Sequence, residues 1–231
     1  MTYKVERDNG SRALGCHFEH EGQSRVGGCM TKIRDWTGNS QAAFVTFGAE
    51  GHATHERAEH DYYATEPRAV ELLLEQEQFA PTIWEPACGE GHISEVLIEH
   101  GHGVISTDLI DRGYGTGGVD FLTCDARIMR VPYDIITNPP YKYSTEFAEK
   151  ALELVADGQK VAMFLKLTFM ESKKRKLFFQ KYPPRTVYVS SGRLMCGFNG
   201  QFHMHSGRAI AYAWYVWKKG FKGDPVIRWI N

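Results

Sequence analysis

From residue 61 onward, short apolar segments alternate with segments whose apolar residues recur at helical spacing. Apolar runs of about four to eight residues between turn residues indicate strands, and the i, i+3, i+4 spacing indicates amphipathic helices. The pattern predicts strands at 82–85, 104–108, 133–137, 161–165, 186–189 and 209–217, a strand-like segment at 119–122, and helices from Pro67, around 93–97, at 145–155 and at 173–179. Strands alternating with helices predict an α/β fold with a doubly wound sheet. We expect the last two strands to add a late antiparallel hairpin to this sheet.

The first 57 residues lack such a period and are rich in Gly, Ser, Asn, His and Gln. We interpret residues 1–57 as a partly irregular N-terminal arm and residues 58–231 as one folded domain. At the boundary, Pro67 suits the first turn of a helix, and Thr65 is the predicted N-cap of that helix.

Composition excludes several classes of protein. Hydrophobic residues make up 42% of the 231 residues and charged residues 24%, which is typical of a globular protein and not of a disordered chain or a coiled coil. No apolar run approaches the roughly 18 residues of a membrane span, and the polar N-terminus does not resemble a secretory signal. The five cysteines are scattered, as in proteins with reduced thiols, so we expect a cytoplasmic protein without a membrane partner.

We predict no metal site, because Cys16, His17, His20 and Cys29 contain no Cys-x-x-Cys pair.

The sequence from Glu85 to Gly91 lies between a predicted strand and a predicted helix. Ligands bind at such strand ends, and Gly89 and Gly91 let the backbone approach a ligand closely. Glu85 would repel a pyrophosphate but attract a cationic group, and Asp108 follows the next strand, where it can accept hydrogen bonds from ribose hydroxyls. With Asp120 as a third acid, this pattern suits S-adenosylmethionine, which carries a sulfonium, an ammonium, a ribose and an adenine. The alternative is a tight glycine turn with three surface acids.

A second motif, Asn138-Pro139-Pro140-Tyr141, follows the strand predicted at 133–137. The two prolines fix the backbone, so the Asn138 amide oxygen and the Pro139 carbonyl can both accept hydrogen bonds from one exocyclic NH2 group. Tyr141 offers a flat face on which a base can stack. The alternative is a proline turn with Asn138 as a cap and Tyr141 as a core residue.

Together these motifs resemble the S-adenosylmethionine-dependent N6-adenine DNA methyltransferases of phages and prophages. Residues 85–91 resemble the cofactor loop of class I methyltransferases, 138–141 match the Asn/Asp-Pro-Pro-Tyr/Phe motif of amino-methyltransferases, and 61–67 resemble the segment that precedes the loop in N6-adenine enzymes. One departure is Glu66, since the family usually has Thr directly before Pro; it puts the role of Thr65 in doubt.

The resemblance implies a class I methyltransferase fold and a role for each matched residue. The acceptor motif would bind the target adenine after it is flipped out of the helix, with Asn138 and Pro139 on the amino group and Tyr141 stacked on the base. The residues that would bind the cofactor are Tyr63, Thr65, Glu85, Pro86, Ala87, Cys88, Gly89, Gly91, Asp108, Leu109, Asp120, Phe121 and Asn138. Among them, Tyr63 and Thr65 would lie near the methionine carboxylate, Glu85 would face the ammonium through water, and Phe121 with Asp120 would hold the adenine.

The charge of the chain is divided between its two parts. Residues 1–141 contain 11 Lys and Arg against 22 Asp and Glu, whereas residues 142–231 contain 16 against 6. A basic half suggests a polyanion partner, which we expect to be duplex or single-stranded DNA. The candidate nucleic-acid-binding residues are Lys142, Lys173, Lys174, Arg175, Arg193, Asn199, His203 and Arg208. The lysine cluster is equally compatible with a solvated helix face, and the last four residues with a long hairpin loop.

Two other functions remain open from the sequence. The same chemistry would suit an adenine in RNA or a glutamine amide in a protein, because each presents a planar NH2 group. A different class is a nucleic-acid-binding module that has lost catalysis, although such a module has no need for the acceptor motif.

Overall fold

The computed structural model describes residues 62–125, 131–192, 194, 196–198 and 210–231. It has four α-helices among these residues: α1 (Pro67–Gln76), α2 (His92–Glu99), α3 (Ser144–Leu154) and α4 (Lys173–Lys181). The strands are β1 (Tyr63–Thr65), β2 (Thr82–Glu85), β3 (Gly103–Ser106), β4 (Asp134–Thr137), β5 (Lys160–Lys166), β6 (Thr186–Ser190), β7 (Cys196–Phe198), β8 (Tyr212–Lys218) and β9 (Val226–Ile230). The predicted arm at 1–57 lies outside the described residues.

Seven strands form one sheet in the order β3-β2-β4-β5-β8-β6-β9. All neighbours are parallel except that β8 runs antiparallel to both β5 and β6. The predicted α/β class and the late antiparallel strand are therefore confirmed. β1 and β7 pair separately as a small antiparallel sheet, in which Thr65 lies opposite Cys196.

The central strands are buried on both faces. Along β5, Val161, Met163 and Leu165 pack into the cluster that contains α3, while Ala162 and Phe164 pack into the cluster that contains α1 and α2. Successive strand residues point to opposite faces, so a strand covered by helices on both sides has to be apolar throughout. This arrangement explains why the sequence shows apolar runs here and not alternation.

Two local predictions are wrong. Thr65 does not cap α1, whose N-cap is Glu66 without a side-chain capping bond; Thr65 is instead drawn into β1 by its pairing with β7. Residues 119–122 form no strand, because the Asp120 carboxylate accepts a hydrogen bond from the backbone N–H of Leu122, 3.0 Å away, and turns the chain.

Candidate active site

A pocket of about 900 Å³ opens at the carboxyl ends of the parallel strands. Glu85 ends β2, Asp108 follows β3, Asn138 follows β4 and Lys166 ends β5, and all four line this pocket. In an α/β sheet these strand ends share one edge, so residues distant in sequence converge there. The predicted site residues that the structure brings together are Tyr63, Thr65, Glu85, Pro86, Ala87, Cys88, Asp108, Leu109, Asp120, Phe121, Asn138, Pro140, Tyr141 and Lys142.

Three of the residues predicted to bind the cofactor or the target base are not on the pocket wall: Gly89, Gly91 and Pro139. Both glycines have positive φ, at 56° and 90°, which L-residues rarely adopt. The ring of Tyr62 packs on Gly89 and that of Tyr114 on Gly91, where an added Cβ would lie 2.3 Å and 2.5 Å from ring carbons. Here the glycines make room for aromatic side chains that pack against the loop.

Asp108 stabilises the loop at 85–91 by a hydrogen bond and also lines the pocket. Its Oδ2 accepts a hydrogen bond from the backbone N–H of Gly89 at 2.8 Å, and its Oδ1 accepts one from Ile110 at 2.9 Å. A carboxylate has about four acceptor positions, so two remain for other donors such as ribose hydroxyls.

Glu85 is a buried carboxyl, with only 1% of its surface exposed. Its Oε2 accepts a hydrogen bond from Ser94 Oγ on α2, and Ser94 Oγ lies 2.6 Å from Ser106 Oγ on β3. Burial raises the pKa of Glu85 well above its usual range, the hydrogen bonds from Ser94 oppose this rise, and the negative charge of Asp108 adds to it. A cation that enters the pocket would favour the ionised form of this carboxyl.

Asp120 and Phe121 form another part of the pocket wall. Phe121 is buried in the core, with its ring 5.2 Å from that of Trp84, edge to face, and 4.9 Å from that of Phe147. Because these contacts hold its ring in place, Phe121 presents a rigid apolar surface to the pocket.

Cys88 has a thiol with a strongly raised pKa. Burial raises it to about 12, and the nearby carboxylates of Glu85 and Asp108 act in the same direction. A thiol needs to ionise to act as a nucleophile, so Cys88 is suited to packing and not to attack.

Asn138 has an oriented side-chain amide. Its Nδ2 donates to the carbonyl oxygen of Tyr63 at 2.8 Å and to Thr65 Oγ1 at 3.0 Å. Its Oδ1 is buried and has no hydrogen-bond partner among the described residues. A buried acceptor without a partner costs free energy, so such an atom indicates a place where a ligand donor binds.

Tyr141 packs into an aromatic cluster beside Asn138. Its ring lies 5.3 Å from that of Tyr63 in a stacked arrangement, and its hydroxyl donates to Cys196 Sγ at 3.3 Å. The Lys166 ammonium lies 4.4 Å from the centre of the Tyr141 ring. Burial raises the pKa of Tyr141 well above its usual range, so its hydroxyl stays protonated and acts as a donor.

The candidate nucleic-acid residues divide into four groups. Lys142 lines the pocket, while Lys173 and Lys174 are exposed at the start of α4. Arg175 has a structural contact, because its guanidinium donates to the Thr168 carbonyl oxygen at 3.1 Å and covers the Phe169 ring. The other four candidates, Arg193, Asn199, His203 and Arg208, lie outside the described residues.

Sequence reasoning missed several residues of this site. Tyr62, His92, Arg112 and Lys166 line the pocket, and the Arg112 guanidinium covers the Tyr62 ring at 4.6 Å. Cys196 lies beside Asn138 and Tyr141, yet it comes from β7, more than fifty residues further along the chain. Tyr62 had a sequence signal as part of the segment 61–67, and Lys166 had one as a member of the basic half that follows the acceptor motif. Among the described residues, no group of His, Cys, Asp and Glu could hold a metal ion, and no helix is long and apolar enough to cross a membrane.

Many solved structures resemble this chain, including the following three. A candidate modification subunit of a type I restriction enzyme from Vibrio vulnificus has 13% identity and a TM-score of 0.52, over 74% of this chain and 48% of its own length. A candidate RNA methyltransferase from Pyrococcus horikoshii has 16% identity and a TM-score of 0.50, over 73% of this chain and 91% of its own. A candidate hemolysin from Lactococcus lactis has 11% identity and a TM-score of 0.51, over 70% of this chain and 91% of its own.

The fold is that of the class I methyltransferases. The fold expected from the sequence is therefore confirmed. No family model and no curated protein matches the chain. Identities this low show the fold alone, and the hemolysin with the same fold illustrates that activity has to be argued from the site.

Proposed function

We propose that this chain is an S-adenosylmethionine-dependent methyltransferase that modifies the N6 amino group of adenine in DNA. The observation that carries the proposal is the unpaired Oδ1 of Asn138 in a pocket that three carboxyl groups also line. One end of the pocket suits a cationic nucleoside, and the other presents an acceptor to an amino group.

The cofactor would be held by residues at the strand ends. Glu85 would face its ammonium through water, Asp108 would accept from the ribose hydroxyls, and Asp120 with Phe121 would hold its adenine. The protein's own residues fit this ligand, because a buried carboxyl that lines a pocket favours a cation and the Asp108 carboxylate has acceptor positions left. The cofactor supplies an electrophilic methyl group on a sulfonium.

The target amino group would be bound by Asn138. Its Oδ1 would accept one N–H, which draws the nitrogen lone pair out of ring conjugation and toward the methyl group. The Pro139 carbonyl, which the resemblance assigned to the same amino group, belongs to a buried residue that is not on the pocket wall, so it takes no part in this proposal. Acceptors that are already oriented reorganise little during the reaction, which is the usual source of such stabilisation. An adenine in a duplex is paired and stacked, so it has to flip out of the helix, at a cost of about a few kcal/mol.

The acceptor side of the pocket is basic. Lys142 and Lys166 both line it, next to Tyr141. Ammonium groups at that position favour a substrate that carries phosphates over a glutamine amide in a protein. DNA is the first choice because of the resemblance at 61–67 and because a modification subunit of a restriction enzyme has this fold.

RNA adenine is the second candidate acceptor. It is supported by the candidate RNA methyltransferase of the same fold. The chemistry at Asn138 would be unchanged, and only the contacts outside the pocket would differ.

The test is transfer from labelled S-adenosylmethionine to unmethylated duplex DNA, single-stranded DNA and RNA, followed by nucleoside mass spectrometry. We expect N6-methyladenine in the DNA digest. The variant Asn138→Ala should lower the transfer rate by about 10²–10³-fold, a loss typical of removing one oriented hydrogen-bonding group, with the cofactor Kd within about twofold of wild type. Label in RNA alone would move the acceptor to RNA, and an active Asn138→Ala enzyme would contradict the proposed target site.

A further inference from the structure

The orientation of the Asn138 amide is fixed by a group that can only accept. The Tyr63 carbonyl oxygen lies 2.8 Å from one end of the amide, and a carbonyl has no proton to donate. That end therefore has to be the NH2 group, although the two ends of an amide look alike in most structures. It follows that Oδ1 is the atom left without a partner.

The second proton of the same NH2 group goes to a side chain. Thr65 Oγ1 lies 3.0 Å from Asn138 Nδ2, and only 2% of the Thr65 surface is exposed. A buried hydroxyl in this position holds the amide against rotation about its last side-chain bond. Both oxygen partners of the amide come from β1, and Cys196 Sγ on β7 lies 3.8 Å from the same nitrogen.

β1 is in turn held by β7. Thr65 lies directly opposite Cys196 in the small sheet, and Cys196 Sγ accepts from the Tyr141 hydroxyl at 3.3 Å. The small sheet thus contacts both polar side chains of the acceptor motif. It lies outside the seven-stranded sheet.

We propose that Thr65 is a positioning residue that orients Asn138 so that Oδ1 can accept from the target amino group. This inference rests on the proposed function of Asn138. It differs from the role that the resemblance implied, in which Thr65 lies near the methionine carboxylate. A positioning role predicts a loss of rate, whereas a carboxylate-binding role predicts a loss of cofactor affinity.

Kinetics of three variants separate these roles. Thr65→Val removes the hydroxyl with little change of shape, and Thr65→Ser retains it. We expect Thr65→Val to lower kcat by about 10- to 100-fold, because small errors in the position of a reacting group cost about that much. Its S-adenosylmethionine Kd, measured by calorimetry, should stay within twofold, and Thr65→Ser should recover most of the rate.

The matched control is Thr137→Val. Thr137 precedes Asn138, is fully buried, does not line the pocket, and has an Oγ1 with no partner among the described residues. The same substitution there should leave kcat unchanged. If Thr65→Val instead raises the cofactor Kd with kcat unchanged, or if Thr65→Ser is as slow as Thr65→Val, the positioning role is wrong.

A measurement that needs no catalytic turnover distinguishes a failure of this inference from a failure of the proposed function. The side-chain NH2 signals of Asn138 can be assigned in NMR spectra by their loss in Asn138→Ser. In the wild type both protons should exchange slowly, and in Thr65→Val the proton that faces residue 65 should exchange faster. This response without methyl transfer to DNA or RNA would refute the proposed function but support the orientation by Thr65. Unchanged exchange in Thr65→Val would refute that orientation, whether or not the enzyme is active.

Discussion

Thr137 and Asn138 are neighbours in the chain and both have a buried polar atom without a partner among the described residues. The two atoms differ in where they lie. Asn138 lines the pocket and Thr137 does not, so a ligand can satisfy the first atom but not the second. Leaving a buried hydroxyl unpaired costs about 1–3 kcal/mol, and at Thr137 no function offsets that cost.

We therefore expect Thr137→Val to raise the free energy of unfolding by about 1 kcal/mol, since it removes a buried hydroxyl while keeping the branched shape. Thr65→Val should have the opposite sign, because it leaves one amide proton of Asn138 without its acceptor. Urea denaturation of the two variants beside the wild type checks both signs. Destabilisation by Thr137→Val would mean that its hydroxyl has a partner, such as a bound water.

At the scale of elements, Glu85 connects β2, α2 and β3 through hydrogen bonds. It ends β2, accepts from Ser94 on α2, and through Ser94 reaches Ser106 on β3. Burial raises the pKa of Glu85 well above its usual range, so the carboxyl is protonated over a wider pH range than in water. A bound cation favours the ionised form and lowers that pKa again. Binding therefore releases a proton from Glu85 at pH values between the lowered pKa of the complex and the raised pKa of the free protein.

We expect the affinity for S-adenosylmethionine to rise with pH until the pKa of Glu85 in the free protein is passed. Calorimetry in buffers with different ionisation enthalpies measures the proton release directly. Glu85→Gln is the control, because any pH dependence that it retains belongs to the ligand or to other groups. Equal proton release in wild type and Glu85→Gln would exclude Glu85 as the group that faces the ammonium.

The elements that sequence analysis predicted are those whose burial has a regular period. β4, β5 and α3 were found within one or two residues, because both faces of the strands and one face of the helix are apolar. β1 and β7 were missed since each has three residues and forms only by pairing with the other, across more than a hundred residues. β9 was missed because it is an edge strand with four exposed residues, so burial leaves no pattern in its sequence.

The same distinction holds for the candidate site. Residues at the ends of predicted strands, such as Glu85, Asp108 and Asn138, were found because parallel strands bring their carboxyl ends to one edge. Cys196 was not found, since its place beside Tyr141 depends on the β1–β7 pairing. The arrangement of Thr65 also follows from that pairing and has no local signal.

At the scale of the whole molecule, the uneven charge of the sequence has a counterpart in the pocket. The three carboxyl groups line it on the segments that follow β2 and β3, whereas Lys142 and Lys166 line it beside the acceptor motif. Lys173 and Lys174 start α4, which follows β5 at the same edge of the sheet. Among the charged residues that line the pocket, the three carboxyl groups lie with Arg112 on the side of β2 and β3, and the two lysines lie beside the acceptor motif.

If these lysines contact a DNA backbone, binding depends steeply on salt, because each neutralised phosphate releases condensed counterions. We expect log K for duplex DNA to fall linearly with log salt, and the double variant Lys173→Gln/Lys174→Gln to make the slope less negative by about 1–2, since each contact contributes about 0.9. The matched control is Lys218→Gln/Lys222→Gln. Those exposed lysines lie at the end of β8 opposite the start of β5, and hence at the other edge of the sheet. Fluorescence anisotropy across salt concentrations measures the salt dependence of both double variants. If the slope changes equally in the two, the net charge of the protein sets the affinity and α4 is not a DNA-binding face.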